Sequence, residues 1–230
     1  MYSLVVAKPL TGKAKIITPD KVTKTELPVN NIKSIGYSSP HIIAAGENGI
    51  IHITSEDNIS KSITDFCVVS DSMTSVCYSE FFKVVVVATT NHKLSLYSSR
   101  TGHLMDQKEL PEIVNNIIIT KNSGLIVAST PNNIIVSTIN GSIVKMNDIG
   151  REVDIWCTWT DVHGIDYICG ADSHGNLFIF EAYYPGKFLF STNSGSRILS
   201  LKYDPRLLGI VTVNVKSQVH FYPFSGIYIY

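Results

Sequence analysis

The sequence lacks the features that mark a metal centre, a secreted protein or a membrane-spanning protein. Its four cysteines include no Cys-x-x-Cys pair and show no zinc-ligand spacing, so they are predicted to be free, reduced thiols. No apolar stretch approaches the ~18–20 residues that a spanning helix needs, and the start of the chain carries too short an apolar run for a signal peptide. Together these absences predict a cytoplasmic protein.

An excess of charge of one sign is also missing. The chain has 19 Lys and Arg against 19 Asp and Glu, so no overall field favours nucleic acid or an anionic membrane. No interleaving of aromatic and basic residues indicates nucleic-acid recognition. The first 33 residues are locally basic, which predicts solvated strand edges and leaves a membrane-surface role as an alternative. The lysines responsible are Lys8, Lys13, Lys15, Lys21, Lys24 and Lys33.

Motifs of catalysis are absent as well. The chain has no Gly-x-x-x-x-Gly-Lys-Ser/Thr loop, no dinucleotide-binding glycine pattern and no Gly-x-Ser-x-Gly elbow. One local cluster combines His163 and His174 with Asp161, Asp166 and Asp172. These residues fall in two turns expected at opposite ends of one hairpin, so turn and capping roles are predicted for them rather than a metal or acid–base site.

Short strands dominate what is present. Residues Met73–Tyr97 predict three strands in a row: an alternating strand that ends at Tyr78, a β-branched run at Val84–Ala88 suited to burial on both faces, and Leu94–Tyr97. Polar turn residues separate these strands. No amphipathic helix of convincing length accompanies them.

This pattern recurs along the chain. Third strands are predicted to end at five positions that are spaced by 43, 40, 43 and 42 residues. A repeat of about 40–45 residues built only from short strands is typical of a WD40-type β-propeller with four strands per blade, so we predict an all-β, WD40-like propeller. The five positions are Thr54, Tyr97, Ser137, Phe180 and Tyr222.

The whole chain, residues 1–230, is predicted to be one propeller domain, because a single blade cannot bury both faces of its sheet. About five blades are recognisable over residues 31–224. Residues 1–30 are expected to form a partial blade, and within them Val22–Leu27 is expected to open the next blade as its first, outer strand. Gly226–Tyr230 predicts a terminal strand in residues 225–230. If that strand pairs with the N-terminal strands the ring has six blades; otherwise it is an incomplete seven-bladed ring.

Three phrases of the sequence resemble a known family. They are Ile-Leu-Ser-Leu-Lys-Tyr at 198–203, the stretch 74–89 with its Tyr-Ser-Glu-Phe-Phe, and Trp-Cys-Thr-Trp-Thr at 156–160 followed by Gly-Ile-Asp-Tyr at 164–167. Over about residues 30–224 the chain resembles the C-terminal WD40 propeller of BEACH-domain proteins, the beige and neurobeachin-like family, in its divergent protozoan form. It departs from the family because it carries neither the BEACH domain nor its PH-like companion, and it lacks the Trp-Asp dipeptide usual in WD repeats.

The resemblance implies a non-catalytic scaffold for protein–protein interaction in vesicle and lysosome-related trafficking. Association with endomembranes would be indirect, through the missing BEACH and PH-like domains. Other proteins are the expected partners, and no catalytic residue, cofactor, metal or small-molecule substrate is predicted. The alternative is a propeller enzyme with its site at the central channel, which would require converging polar residues there.

Turns between first and second strands, together with connections between blades, are expected to line one face of a propeller. Aromatic residues and arginine in these segments predict a protein-interaction face, because such residues anchor interfaces. In the alternative interpretation the aromatic side chains fold down onto the cores of their own blades. The predicted face consists of Phe81, Phe82, Arg100, His163, Tyr183, Tyr184 and Arg206.

Overall fold

A computed structural model describes residues 4–7, 13–18, 21–26, 32–38, 41–46, 49–55, 58–67 and 73–224. The chain divides into two compact units, residues 1–114 and residues 115–230. Over the described residues each unit holds three antiparallel sheets, which we number 1–6 in chain order. The chain is therefore all-β and built from successive sheets, as the repeat predicts.

Unit 1 contains sheets 1–3, each formed by strands that follow one another in the chain. Sheet 1 contains β1 (Leu4–Ala7), β2 (Lys13–Thr18) and β3 (Lys21–Glu26). Sheet 2 contains β4 (Ile32–Ser38), β5 (His41–Gly46), β6 (Ile50–Ser55) and β7 (Asn58–Cys67). Sheet 3 contains β8 (Met73–Ser79), β9 (Val84–Thr89), β10 (Lys93–Ser98) and β11 (Leu104–Glu109).

Unit 2 contains sheets 4–6 with the same strand order. Sheet 4 contains β12 (Asn116–Ile119), β13 (Ile126–Ser129), β14 (Asn133–Ser137) and β15 (Ile143–Asp148). Sheet 5 contains β16 (Ile155–Thr160), β17 (Asp166–Ala171), β18 (Asn176–Glu181) and β19 (Phe188–Asn193). Sheet 6 contains β20 (Ile198–Asp204), β21 (Gly209–Asn214) and β22 (Val219–Pro223).

The cores lie between neighbouring sheets. The middle strands β9 and β17 are buried along their whole length. Strand β17 packs against sheet 4 on one face and against sheet 6 on the other. In unit 2, strand β18 sends Phe178 and Phe180 towards sheet 4 and Leu177 and Ile179 towards sheet 6. Because successive side chains of a strand point to opposite faces of the sheet, this one apolar run contributes to two cores.

Sheets 2–5 each have four strands, as the repeat predicts, although the sequence pattern did not locate the fourth, outermost strand of each sheet. Of these outermost strands, β11, β15 and β19 are partly exposed along their whole length. The assignment of Val22–Leu27 as the first strand of the next blade is wrong, since β3 pairs with β2 and β4 begins sheet 2. The alternation in Lys-Val-Thr-Lys-Thr-Glu suits any edge strand and does not specify its neighbour. Leu27 and Gly226–Tyr230 lie outside the described residues.

The first strands of sheets 4–6 run side by side in the same direction. At their starts the Asn116 amide donates to the Asp154 carbonyl (3.0 Å), and Arg197 lies 2.9 Å from the Asp154 carboxylate. Near their ends the rings of Trp159 and Tyr203 stack at 5.0 Å. The turn after each first strand therefore lies at one common end of these sheets. In each sheet we call the end at which the first and second strands are joined the AB end, after those two strands. The turn between the third and fourth strands lies at the same end, because the strands are antiparallel.

Three described cysteines, Cys77, Cys157 and Cys169, are free thiols. Burial raises the pKa of Cys157 to about 12 and raises the pKa of Cys169 well above its usual value. Both thiols therefore stay protonated and pack as small apolar groups. In the part of the chain that the structure describes, no helix is long and apolar enough to cross a membrane.

Candidate protein-interaction site

In sheet 3, the predicted residues lie in the two turns of its AB end. The turn 80–83 closes through Lys83 at a φ of +57°, and the Phe82 N–H donates to the Ser79 hydroxyl (3.3 Å). Phe81 is 79% exposed and meets Phe82 edge to face at 4.9 Å, whereas Phe82 itself is half-buried. Phe81 therefore does not fold down onto the core of its sheet.

Arg100 belongs to the neighbouring turn, between β10 and β11. The Ser99 N–H donates to the Lys83 carbonyl (2.9 Å), so this turn is attached to the turn that carries Phe81. Arg100 is exposed. The sequence interpretation placed it in a connection between blades, but β11 makes this segment a turn within one sheet.

A carboxylate fixes the AB ends of sheets 2 and 3 to each other. Glu80 accepts a hydrogen bond from the Tyr78 hydroxyl, pairs with Lys83 and lies 2.8 Å from Nδ1 of His41 at the start of β5. The turn beneath Phe81 is thus held by partners from two sheets, which gives the exposed ring a defined position.

In sheet 5, His163 lies in the turn between β16 and β17. The Asp161 carboxylate accepts the N–H groups of His163 (2.9 Å) and Ile165 (2.8 Å), which is an Asx-type turn. His163 is exposed, and its neighbour Val162 is 95% exposed. The second His/Asp turn lies at the opposite end of β17, where Asp172 accepts the His174 N–H (2.9 Å).

These hydrogen bonds confirm turn roles for Asp161 and His163 and for Asp172 and His174, whereas the predicted turn role is wrong for Asp166, which lies in strand β17. The two His/Asp turns are separated by the length of β17, and in the described ranges no group of three or more His, Cys, Asp or Glu side chains could hold a metal ion.

Tyr183 and Tyr184 lie in the turn between the third and fourth strands of the same sheet. Each is 48% exposed, and their rings meet at 67° with centroids 5.8 Å apart. The Lys145 ammonium of sheet 4 lies 4.7 Å from the centroid of the Tyr184 ring, a cation–π contact. The turn itself closes when the Tyr184 N–H donates to the Glu181 carbonyl (2.9 Å).

Arg206 lies at the AB end of sheet 6, in the turn 205–208. The Asp204 carboxylate accepts the N–H groups of Arg206 (2.8 Å) and Leu207 (3.2 Å), and Arg206 Nε lies 3.9 Å from the same carboxylate. Leu207 and Leu208 are 58% and 60% exposed. Together with Val162 these leucines were missed by the sequence prediction, although apolar side chains inside a polar turn were a signal for them.

Asp166 joins the AB ends of sheets 4 and 5. Its buried carboxylate accepts the Asn122 N–H (3.2 Å), the Ser123 N–H (2.7 Å), the Ser123 hydroxyl (2.6 Å) and the Thr160 hydroxyl (2.5 Å). Burial alone would raise the pKa of Asp166, but these hydrogen bonds outweigh it and hold the pKa below its usual value. The carboxylate therefore remains charged at neutral pH.

An open groove of about 220 Å³ lies between these elements, and we call it the tyrosine groove. Both exposed tyrosines and the acidic residues Asp166 and Glu181 contribute to its wall. Its lining is completed by Ser123, Leu125, Gly164, Ile165 and Ala182. The structure thus brings Tyr183 and Tyr184 together in one groove, with His163 in the turn just before Gly164.

No family model and no curated protein matches the chain. Among solved structures 1684 chains match it. One is the crystal structure of the computationally designed Ika8 protein, with a TM-score of 0.69 and 10% sequence identity, covering 95% of this chain and 70% of that chain. At this identity the likeness concerns the fold alone. The chain is an all-β protein of successive antiparallel sheets, consistent with a blade-type, β-propeller-like fold.

Proposed function

We propose that this protein is a non-catalytic interaction module that binds a partner protein through the AB ends of its sheets. The observation that carries the proposal is the placement of large apolar side chains in AB-end turns, where solvated turns normally carry polar residues. These side chains are Phe81, Val162, Tyr183, Tyr184, Leu207 and Leu208.

Covering such residues with a partner is favourable, because apolar surface is removed from water. Burying one Phe or Leu side chain is worth roughly 1.5–3 kcal/mol, so a few of them supply much of the free energy of a specific interface. The turns that present them are fixed by carboxylates, as Asp161 and Asp204 fix the turns of Val162 and Leu207. A fixed turn loses little conformational entropy on binding, which favours affinity.

Capture of a partner from cell extract tests this function. A variant with Phe81→Ser, Val162→Ser and Leu207→Ser, called the serine variant, is expected to recover at least about tenfold less partner than the wild-type chain, because each loss of ~1.4 kcal/mol is tenfold in affinity. Its free energy of unfolding is expected to change by less than about 1.5 kcal/mol, since surface substitutions cost about 0.5 kcal/mol each.

The control removes three exposed apolar side chains from outermost strands, by Leu104→Ser, Met105→Ser and Ile143→Ser. It is expected to capture partner as the wild-type chain does. Arg100→Ala combined with Arg206→Ala is expected to weaken capture as well. Undiminished capture by the serine variant, or an equal loss in the control, contradicts the proposal.

We further propose that the six sheets are successive blades of one propeller, with first strands innermost. Contacts between β4 and β8 in unit 1, and between β12, β16 and β20 in unit 2, support this arrangement because first strands of neighbouring blades adjoin at the centre of a propeller. The resemblance to BEACH-type propellers supports, as part of the same proposal, a role in vesicle trafficking within a larger protein.

A further inference from the structure

The tyrosine groove has the chemistry of a site for one cationic side chain. Its lining contains two acidic residues, Asp166 and Glu181, and no lysine, arginine or histidine. Its volume of about 220 Å³ is below the roughly 300–1,000 Å³ of small-molecule pockets, so the groove suits a single side chain.

The aromatic rings add a second attraction for a cation. Tyr183 and Tyr184 are inclined at 67°, so their faces point in different directions at the rim. An ammonium or guanidinium group over an aromatic face is attracted by its quadrupole. The Tyr184 ring is occupied in this way by Lys145, whose Nζ lies 4.7 Å from its centroid, so the Tyr183 ring is the one that offers its face to a further cation.

Glu181 supplies the charge that remains available to a ligand. Its side chain is half-buried at the end of β18, and among the described residues it has no ion-pair partner. Asp166 differs, because four hydrogen bonds already occupy its carboxylate oxygens. Asp166 therefore adds negative potential, whereas Glu181 is the group placed to contact the cation.

We infer that the tyrosine groove binds a lysine or arginine side chain of the partner protein, with Glu181 pairing with its charge and Tyr183 and Tyr184 packing against it. This inference rests on the proposed function, because it gives the chemistry of the partner at the AB end of sheet 5. The partner segment is thus expected to be basic at this point and apolar beside it, because Val162 is exposed in the turn that leads to Gly164.

An NMR titration of the ¹⁵N-labelled full chain tests the inference with a blocked Gly-Ser-Arg-Ser-Gly peptide. Saturable shifts are expected at the amides of Gly164, Tyr183 and Tyr184, with a Kd of about 1–10 mM for one side chain. The same peptide with citrulline, a neutral isostere of arginine, is expected not to bind. Equal shifts with both peptides, or no saturable shift in the groove, overturn the inference.

Matched variants separate the contributions of charge and ring. Glu181→Gln is expected to weaken arginine-peptide binding about tenfold, and Tyr183→Ala to abolish it, while Tyr183→Phe retains it because the ring face remains. Glu152→Gln, an exposed charge in the connection before β16, serves as the control and is expected to bind like wild type. A Glu181→Gln chain that keeps its amide spectrum and its peptide affinity counts against the role of Glu181.

Failure of this inference is distinguishable from failure of the proposed function. If the serine variant loses partner capture while the arginine peptide does not bind, the protein-binding function stands and the cation site is overturned. If the peptide binds and Glu181→Gln weakens it, while the serine variant captures partner normally, the cation site stands and the apolar face is overturned.

Discussion

Replacing Asp166 by alanine is expected to lower the free energy of unfolding by about 2–4 kcal/mol, measured by urea denaturation. Four donors converge on this buried carboxylate, and two of them are backbone N–H groups of the turn between β12 and β13. Removing the acceptor leaves these groups without a partner in a place that water reaches poorly, and hydrogen bonds to a charged group are worth about 1.5–3 kcal/mol each.

Two further substitutions test whether the hydrogen-bonded carboxylate is responsible. Asp166→Asn keeps the shape but puts an amide donor against Ser123 donors, so an intermediate loss of about 1–2 kcal/mol is expected. Asp148→Ala, which removes an exposed turn carboxylate that accepts the Gly150 N–H, is expected to cost less than about 1 kcal/mol. Equal losses at Asp166 and Asp148 would contradict the role of the buried network.

The contribution of Asp166 to the free energy of unfolding is expected to depend on pH, because its pKa is lowered in the folded chain. Because the folded pKa lies below the unfolded value of about 3.9, the stabilisation by Asp166 is fully present above that pH and is lost as the pH falls through the folded pKa. The difference in unfolding free energy between wild type and Asp166→Ala is therefore expected to be constant near neutrality and to shrink below about pH 4. A difference that grows on acidification would show that the carboxylate is not stabilised by its donors.

Truncation of Phe178 to alanine is expected to cost about 3–5 kcal/mol, the usual range for removing a fully buried phenylalanine. Phe178 lies in the core between sheets 4 and 5, where its ring contacts that of Phe188 at a centroid distance of 5.0 Å. Phe81→Ala removes the same atoms from an exposed turn and is expected to cost less than about 1 kcal/mol.

Gly170 pairs with Phe178 on the neighbouring strand and allows a second test of this packing. A Cβ at Gly170 would lie 2.7 Å from the Phe178 ring and 3.0 Å from Val153, so Gly170→Ala is expected to cost about 1–3 kcal/mol by overpacking. In the Phe178→Ala background the close ring is gone, and the added methyl group fills part of the cavity. The double variant is therefore expected to be more stable than the sum of the single losses predicts. Strict additivity would mean that Gly170 and Phe178 do not pack against each other as described.

The sequence predicted the inner strands of sheets 3–5 well, because their middle strands are buried along their length and carry apolar runs. The predicted ends of third strands at Tyr97, Ser137 and Phe180 lie within one residue of the observed ends. Four strands per blade were predicted, but the position of the outermost strand was not, since a stretch such as Leu-Met-Asp-Gln-Lys-Glu in β11 is largely solvated and resembles a connection.

The candidate site was predicted only in part, for a related reason. Alternation of strands and turns locates Phe81, Tyr183 and Arg206 in turns, but whether a ring in a turn is exposed depends on contacts distant in sequence. The Asp166 network illustrates this, because its donor Ser123 is 43 residues away in the chain. Nothing in the local pattern around Asp166 distinguishes such a link between sheets from an ordinary turn residue.

Site-specific photo-crosslinking in cells tests the central claim, that AB-end turns bind a partner protein, most directly. A benzophenone amino acid would replace Val162 or Leu207 in one set of chains, and Leu104 or Met105 on an outermost strand in the other. We expect one discrete protein adduct from Val162 and Leu207, and none from Leu104 and Met105. Adducts that form only from the outermost strand, or no adduct from either AB-end position, would contradict the claim.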